Sequence, residues 1–185
     1  MVRMARVSTR DEILRVAGDQ FARVGFKGTS LQDIAVEVGC SKAALLYHFA
    51  GKEQILLALV ATAEHALTGL LADLGDLDPA AAQALAIERF VDLVLEFRRE
   101  AALVYEVVPQ FHSEPAFCSV LAQADELCAA ITARSDDPAE IIAAQTVLHG
   151  VVNVAIDDKW DAAQLRPALL RVARRALITP HHDKD

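Results

Sequence analysis

"GCSKAALLYHF", residues 39–49, decides how this chain folds. A turn glycine and a serine precede a short Ala- and Leu-rich run that carries Lys42, Tyr47 and His48. Gly39 can end one helix and Ser41 can cap the next, because a serine hydroxyl accepts a bond from an amide in the first helical turn. The helix that Ser41 opens has only about two turns, too few to persist alone. Other elements must therefore hold it in place.

Those elements lie immediately upstream. Ser30 followed by Asp33 reads as a second cap, opening a helix that turns Leu31, Ile34, Ala35 and Val38 inward before Gly39. Two short helices joined by "VGCS" make a helix-turn-helix, whose second helix is the element that enters a DNA major groove. A first helix begins near Ser8 or Thr9, with Glu12 as a capping-box partner, and stops at Gly25. Phe21, Ile34, Val38, Leu45 and Phe49 then supply a small core for the three helices. Lys42, Ala43, Tyr47 and His48 are left facing outward. Lys and Tyr reach phosphate oxygens, His bonds a phosphate or a base edge, and Ala touches a thymine methyl.

Charge follows the same division. Residues 1–52 hold eight Lys/Arg against five Asp/Glu, a net of +3, while residues 53–185 hold ten against twenty-one, a net of −11. The chain is −8 overall, so a basic head sits on an acidic body, as meeting a polyanion with one end requires.

The composition favours helix throughout. Of 185 residues 54% are hydrophobic, with only 8 Gly and 6 Pro, and no run of alternating β-branched residues suggests a sheet. A long fourth helix of about 22 residues starts after "AGKE", and a fifth covers Ala80 to Arg99. A short sixth runs near Leu103 to Val108, and a seventh from Pro115 to Arg134. The eighth opens at "SDDPAE" and ends about Ile156. Pro167 would break a helix interior, so the ninth is expected from about Leu165 to before Pro180. Cys40, Cys118 and Cys128 are widely spaced and odd in number, which fits reduced thiols in a cytoplasmic protein. The basic amino end lacks an apolar signal core, and no apolar segment of spanning length is free of charges and helix breaks. His112 and Cys118 are not at metal-ligand spacing, and no metal, cofactor or membrane partner is expected.

The stretch "GFKGTSLQDIAVEVGCSKAALLYHFAGKEQIL", residues 25–56, closely resembles the DNA-binding head of TetR-family transcriptional regulators. The shared features are the aromatic before G-T-S, the "IA" of the second helix, the G-x-S-K turn and the K-E-x-L that opens the fourth helix. The resemblance implies an all-α chain with two domains. Residues 1–51 would be the helix-turn-helix DNA-binding head, and residues 52–185 a helical ligand-binding and dimerisation bundle, about nine helices in all. It places Thr29 and Ser30 near a phosphate, and Lys42 and Tyr47 on the backbone or, for Lys42, on a base edge. His48 would meet a phosphate, and Lys52 the backbone from the first turn of the fourth helix. Leu46 stands where the family usually has Tyr, and Ala43-Ala44 where many members carry Gly-Thr. Direct hydrogen-bonded readout is therefore thin, leaving more to methyl contacts and DNA shape.

The family pattern also implies a homodimer reading a palindrome, with half-sites roughly 34 Å or a multiple apart. The last two helices would build its interface: Ile141, Ala144, Leu148, Val151, Val152 and Ala155 with Gly150, then Leu169, Leu170, Ala173 and Leu177. An ordinary intrachain core is the other use of these positions. Helices four to eight would enclose an effector cavity lined by Phe90, Val94, Phe97, Tyr105, Phe111, Phe117, Leu121 and Trp160. Gln145, His149 and Asn153 lie four apart and form a polar stripe, toward a ligand or along the dimer seam, with a plain solvent-facing stripe as the less favoured alternative. The function implied is a ligand-responsive DNA-binding regulator, commonly a repressor released by a small, largely apolar effector. No nucleophile elbow, phosphate loop, metal motif or paired carboxylate suggests an enzyme. A helical interaction protein that has kept the head without sequence-specific DNA binding is the alternative. The tail with Arg3, Arg6 and Arg10 is either disordered or follows the minor groove.

Overall fold

The computed structural model describes residues 8–157 and 159–178, so the tail arginines Arg3 and Arg6 lie outside the described residues. Among these residues there are nine α-helices and no strand. The helices are α1 (Thr9–Val24), α2 (Leu31–Val38), α3 (Lys42–His48), α4 (Lys52–Leu74), α5 (Pro79–Glu96), α6 (Arg98–Glu106), α7 (Cys118–Ile131), α8 (Pro138–Ala155) and α9 (Ala162–Leu177). Two short 3₁₀ turns, Val108–Phe111 and Pro115–Phe117, fill the gap after α6. The chain divides into two compact units that meet between Thr62 and Ala63, inside α4.

The first unit is fixed by its caps. Ser8, rather than Thr9, caps α1 by accepting from the Asp11 amide. Ser30 and Asp33 form a reciprocal capping box on α2, with each side chain accepting from the other's amide at 3.1 Å. The Ser30 hydroxyl also donates to the Asp33 carboxylate at 2.6 Å and holds that carboxyl below its usual range. Gly39 adopts φ 77°, ψ 29°, a left-handed conformation open to glycine at no steric cost, and its amide closes α2. Ser41 accepts from the Ala44 amide and starts α3. Phe21, Ile34, Leu45 and Phe49 are buried as expected, joined by Ile13, Val16 and Phe26, while Val38 is half-buried at the edge.

The second unit packs Phe90, Val91 and Val94 of α5 against Leu127 and Ile131 of α7, Leu148 and Val152 of α8, and Leu169 of α9. Arg166 clamps α9 to α5, its guanidinium donating to Asp92 at 2.5 and 2.8 Å and to Glu88 at 3.3 Å. That pairing holds the Asp92 carboxyl below its ordinary range.

Two expectations are corrected here. α9 starts at Ala162, before Pro167, because Asp161 caps it through the Ala163 amide. The proline then sits inside the helix, where its missing N–H leaves the Ala163 carbonyl at an exposed position. Secondly, Ala144, Leu148, Val151, Val152 and Ala155 are buried in the chain's own core, together with Leu169, Leu170 and Ala173. They are therefore not a free dimer face. α4 is long and apolar enough, by length and composition, to cross a membrane, but as expected from the sequence the segment is not free of charge, since Glu64 and Asp73 lie within it. Its Ile55, Leu56 and Val60 are buried in the first unit and its Leu67, Leu70 and Leu74 in the second, so here it serves as a core helix.

After α7 the chain turns through two consecutive left-handed residues, Ala133 (φ 49°) and Arg134 (φ 61°). Neither is glycine, and such a conformation costs an L-residue roughly 1–2 kcal/mol. Ala133→Gly relieves that strain, partly offset by the larger entropy of glycine in the unfolded chain. A net gain of about 0.5–1 kcal/mol is expected, read as a higher denaturant midpoint with an unchanged slope.

Candidate nucleic-acid interface

α3 has seven residues and one fully buried side chain, Leu45. Successive helical residues are about 100° apart, so Lys42, Ala43, Leu46 and Tyr47 share an arc of about 140°. All four are exposed, Tyr47 at 86% and Leu46 at 43%. The opposite side carries Leu45, with Ala44 and His48 half-buried beside it. His48 is thus not on the outward face, contrary to expectation. It lies one step round the helix, with its ring edge-on to Tyr47 at 5.3 Å. Leu46 takes the place in the outward set that sequence reading gave to His48. Its spacing of four from Lys42 was the available signal.

Cations on this unit sort by what they already hold. Arg15 is paired with Glu12 at 2.6 Å and Asp19 at 3.1 Å, and Arg23 with Glu37 at 3.5 Å. Arg10 stacks its guanidinium 5.0 Å from the Phe49 ring centre, bracing the residue that closes α3. Among the described residues of this unit, Lys27 and Lys42 are exposed and carry no ion pair, so Lys42 is the free cation on the outward face of α3.

Lys52 and Thr29 have different work. The Lys52 ammonium donates to the Phe26 carbonyl at 2.8 Å and the Thr29 carbonyl at 2.7 Å, and sits 4.5 Å over the Phe26 ring. All three contacts are internal, so the ammonium ties the start of α4 to the turn between α1 and α2 instead of projecting toward a phosphate. Thr29 is buried, at 2% exposure, and its hydroxyl donates to the Gly25 carbonyl at 2.9 Å. Its side chain is structural too. Ser30 stays exposed at the start of α2, though its hydroxyl is engaged with Asp33.

The expected effector lining is only partly brought together. Phe90 and Tyr105 meet edge-on at 6.3 Å, and Phe111 stacks on Phe117 at 4.7 Å. Phe90, Val94 and Phe117 are buried, while Phe97, Tyr105, Phe111 and Leu121 are half-buried. Burial pushes the Tyr105 phenol well above its ordinary range. Phe97 borders a separate groove of about 270 Å³ between α4 and α5, with Asp73, Arg89 and Asp92. Trp160 departs from the set altogether: it is 53% exposed and lines an open apolar groove between α8 and α9. Gln145, His149 and Asn153 are exposed as well, because Ala144, Leu148 and Val152 occupy the inward side of α8. They do not face an enclosed cavity. His149 Nδ1 lies 2.8 Å from the Gln145 carbonyl, Asn153 donates to the His149 carbonyl at 3.0 Å, and the His149 ring stands edge-on to Tyr105 at 4.9 Å.

The α8–α9 groove encloses about 530 Å³ and is lined by Val147, Gly150, Val154, Trp160, Ala168 and Val172 among others. Val172 is 59% exposed and, on the adjoining face of α8, Ile142 is 62% exposed.

Residues 13–59 match the family of bacterial regulatory proteins described as the tetR family. The HTH-type transcriptional regulator RutR of Escherichia coli (strain K12) is 38% identical over 88 residues, which are 48% of this chain and 40% of RutR. The chain thus spans less than half the length of that curated relative. Among solved structures, the ketosteroid transcriptional regulator KstR2 of Mycobacterium tuberculosis superposes with a TM-score of 0.72 at 15% identity, over 96% of this chain and 97% of that one. Mycobacterium smegmatis AmtR gives a TM-score of 0.66 at 27% identity, over 96% of this chain and 89% of its own.

Proposed function

Because the chain belongs to the TetR family of bacterial regulators, we propose that it represses transcription in the cytoplasm by binding a palindromic DNA operator as a homodimer. The observation that carries this reading is the outward face of α3, where Lys42, Ala43 and Tyr47 stand exposed on the second helix of a helix-turn-helix. Lys42 bonds a base edge or a phosphate, Tyr47 grips the backbone, and Ser30 approaches the backbone from α2. His48 contacts a phosphate from the flank of α3. The exposed groove of α8 and α9, with Gly150 permitting close approach, forms the two-fold interface, and Gln145, His149 and Asn153 run along its edge. A small, largely apolar effector enters beside Phe90, Tyr105, Phe111 and Phe117 and changes the separation of the two heads.

Selection of duplexes by the full chain from a randomised library tests the reading. A palindromic sequence is expected. The log of its affinity falls with the log of salt at a slope of about −5 if about six phosphates are neutralised. Sedimentation of the free protein returns twice the chain mass. Equal, weak binding to every duplex would instead favour an interaction protein that has kept the head alone.

A further inference from the structure

The outward face of α3 is unusually poor in hydrogen-bonding groups for a base-reading surface. Of its four residues, Lys42 and Tyr47 offer polar tips, while Ala43 and Leu46 offer only carbon. The seven residues of α3 include no Arg, Asn, Gln, Asp or Glu, the side chains that pair with base edges in a bidentate or directed way. Lys42 and Tyr47 stand at the two edges of the arc, with Leu46 and Ala43 between them. The centre of the face is therefore apolar and flanked by groups that suit phosphates.

A major groove presents one apolar feature to such a surface, the C5 methyl group of thymine. The basic head supplies the charge that brings this face to a duplex, so the groove is the occupant that fits. Leu46 is 43% exposed on the free protein, and a methyl group set against it removes apolar surface from water on both partners.

We infer that α3 reads its operator through thymine C5 methyl groups, with Leu46 as the specificity-determining residue and Ala43 as a smaller second contact. This rests on the reading that the chain binds DNA. Sequence preference then depends on carbon contacts at the middle of each half-site, and hydrogen bonds from Lys42 add to it at the edge. Replacing thymine by deoxyuridine removes the methyl and leaves every base-pairing and groove hydrogen-bonding group in place.

The experiment starts from the duplex enriched by the full chain and substitutes deoxyuridine for each thymine in turn. At one or two positions per half-site the affinity falls by about fourfold, the loss expected for one buried methyl. Leu46→Ala folds like the parent, because Leu46 is not a core residue. It brings the thymine-to-uracil ratio at one of those positions close to unity. Uniform indifference to deoxyuridine overturns the inference, as does a ratio that Leu46→Ala leaves unchanged. A library that yields no enriched duplex overturns the DNA-binding reading, and this inference with it, whereas an enriched duplex insensitive to deoxyuridine overturns the inference alone.

Discussion

Leu45→Ala is expected to destabilise the first unit by about 2–5 kcal/mol and to abolish duplex binding. Leu45 is fully buried and is the one residue of the seven in α3 that is. A two-turn helix gains almost nothing from its own backbone bonds, since nucleation absorbs most of what they return. α3 is held by three things: the Ser41 cap, the Leu45 side chain, and Phe49 at its carboxyl end. Truncating the central one opens a cavity that backbone shifts fill only in part. Hydrogen exchange at the α3 amides should rise to nearly the unprotected rate while amides in α8 keep their protection. A loss under 1 kcal/mol, or retained exchange protection in α3, would contradict this account of how α3 is anchored.

Lys52→Met removes two charged hydrogen bonds and a cation–π contact, a loss of about 2–3 kcal/mol. The ammonium at 2.8 and 2.7 Å from two carbonyls satisfies backbone groups of a turn that no helix ladder reaches. Methionine keeps the length of the stem and part of the packing on Phe26, so the change reports the charge and its bonds. A phosphate contact and an internal clamp predict different salt behaviour. If Lys52 neutralised a phosphate, the salt slope would fall by about one unit per protomer. If it clamps the turn, melting temperature and affinity fall while the slope stays as in the parent. The bond geometry predicts the second pattern, and measuring the slope for parent and variant side by side decides it.

How much of this could be read from the chain alone depends on how local the signal was. Ser30, Gly39 and Ser41 act within four residues of themselves, so the boundaries of α2 and α3 were legible, and so was the inward set of Leu45 and Phe49. Pro167 misled because a local rule was outweighed by another: the Asp161 cap fixes the start of α9 at Ala162, so Pro167 falls five residues beyond the first helical position, where a proline is best tolerated. Lys52 and Thr29 looked like DNA-facing polar groups. The Lys52 ammonium bonds the carbonyls of Phe26 and Thr29 across 26 and 23 residues of chain, which a periodicity count does not register, while the Thr29 hydroxyl turns back on the Gly25 carbonyl within the same turn. The apolar positions of α8 and α9 were identified as apolar correctly. Which of them face the chain's own core and which face outward depends on neighbours that only tertiary packing supplies, and the same holds for Trp160.

The division of labour within α3 bears on how such a protein changes its target over generations. The anchors and the cap are Ser41, Leu45 and Phe49, while the letters it presents are Lys42, Ala43, Leu46 and Tyr47. Exchanges at solvent-facing helical positions seldom disturb a fold by more than about 0.5 kcal/mol. On the proposed DNA-binding reading, a duplicated copy can therefore drift toward a new promoter one letter at a time without passing through an unfolded ancestor.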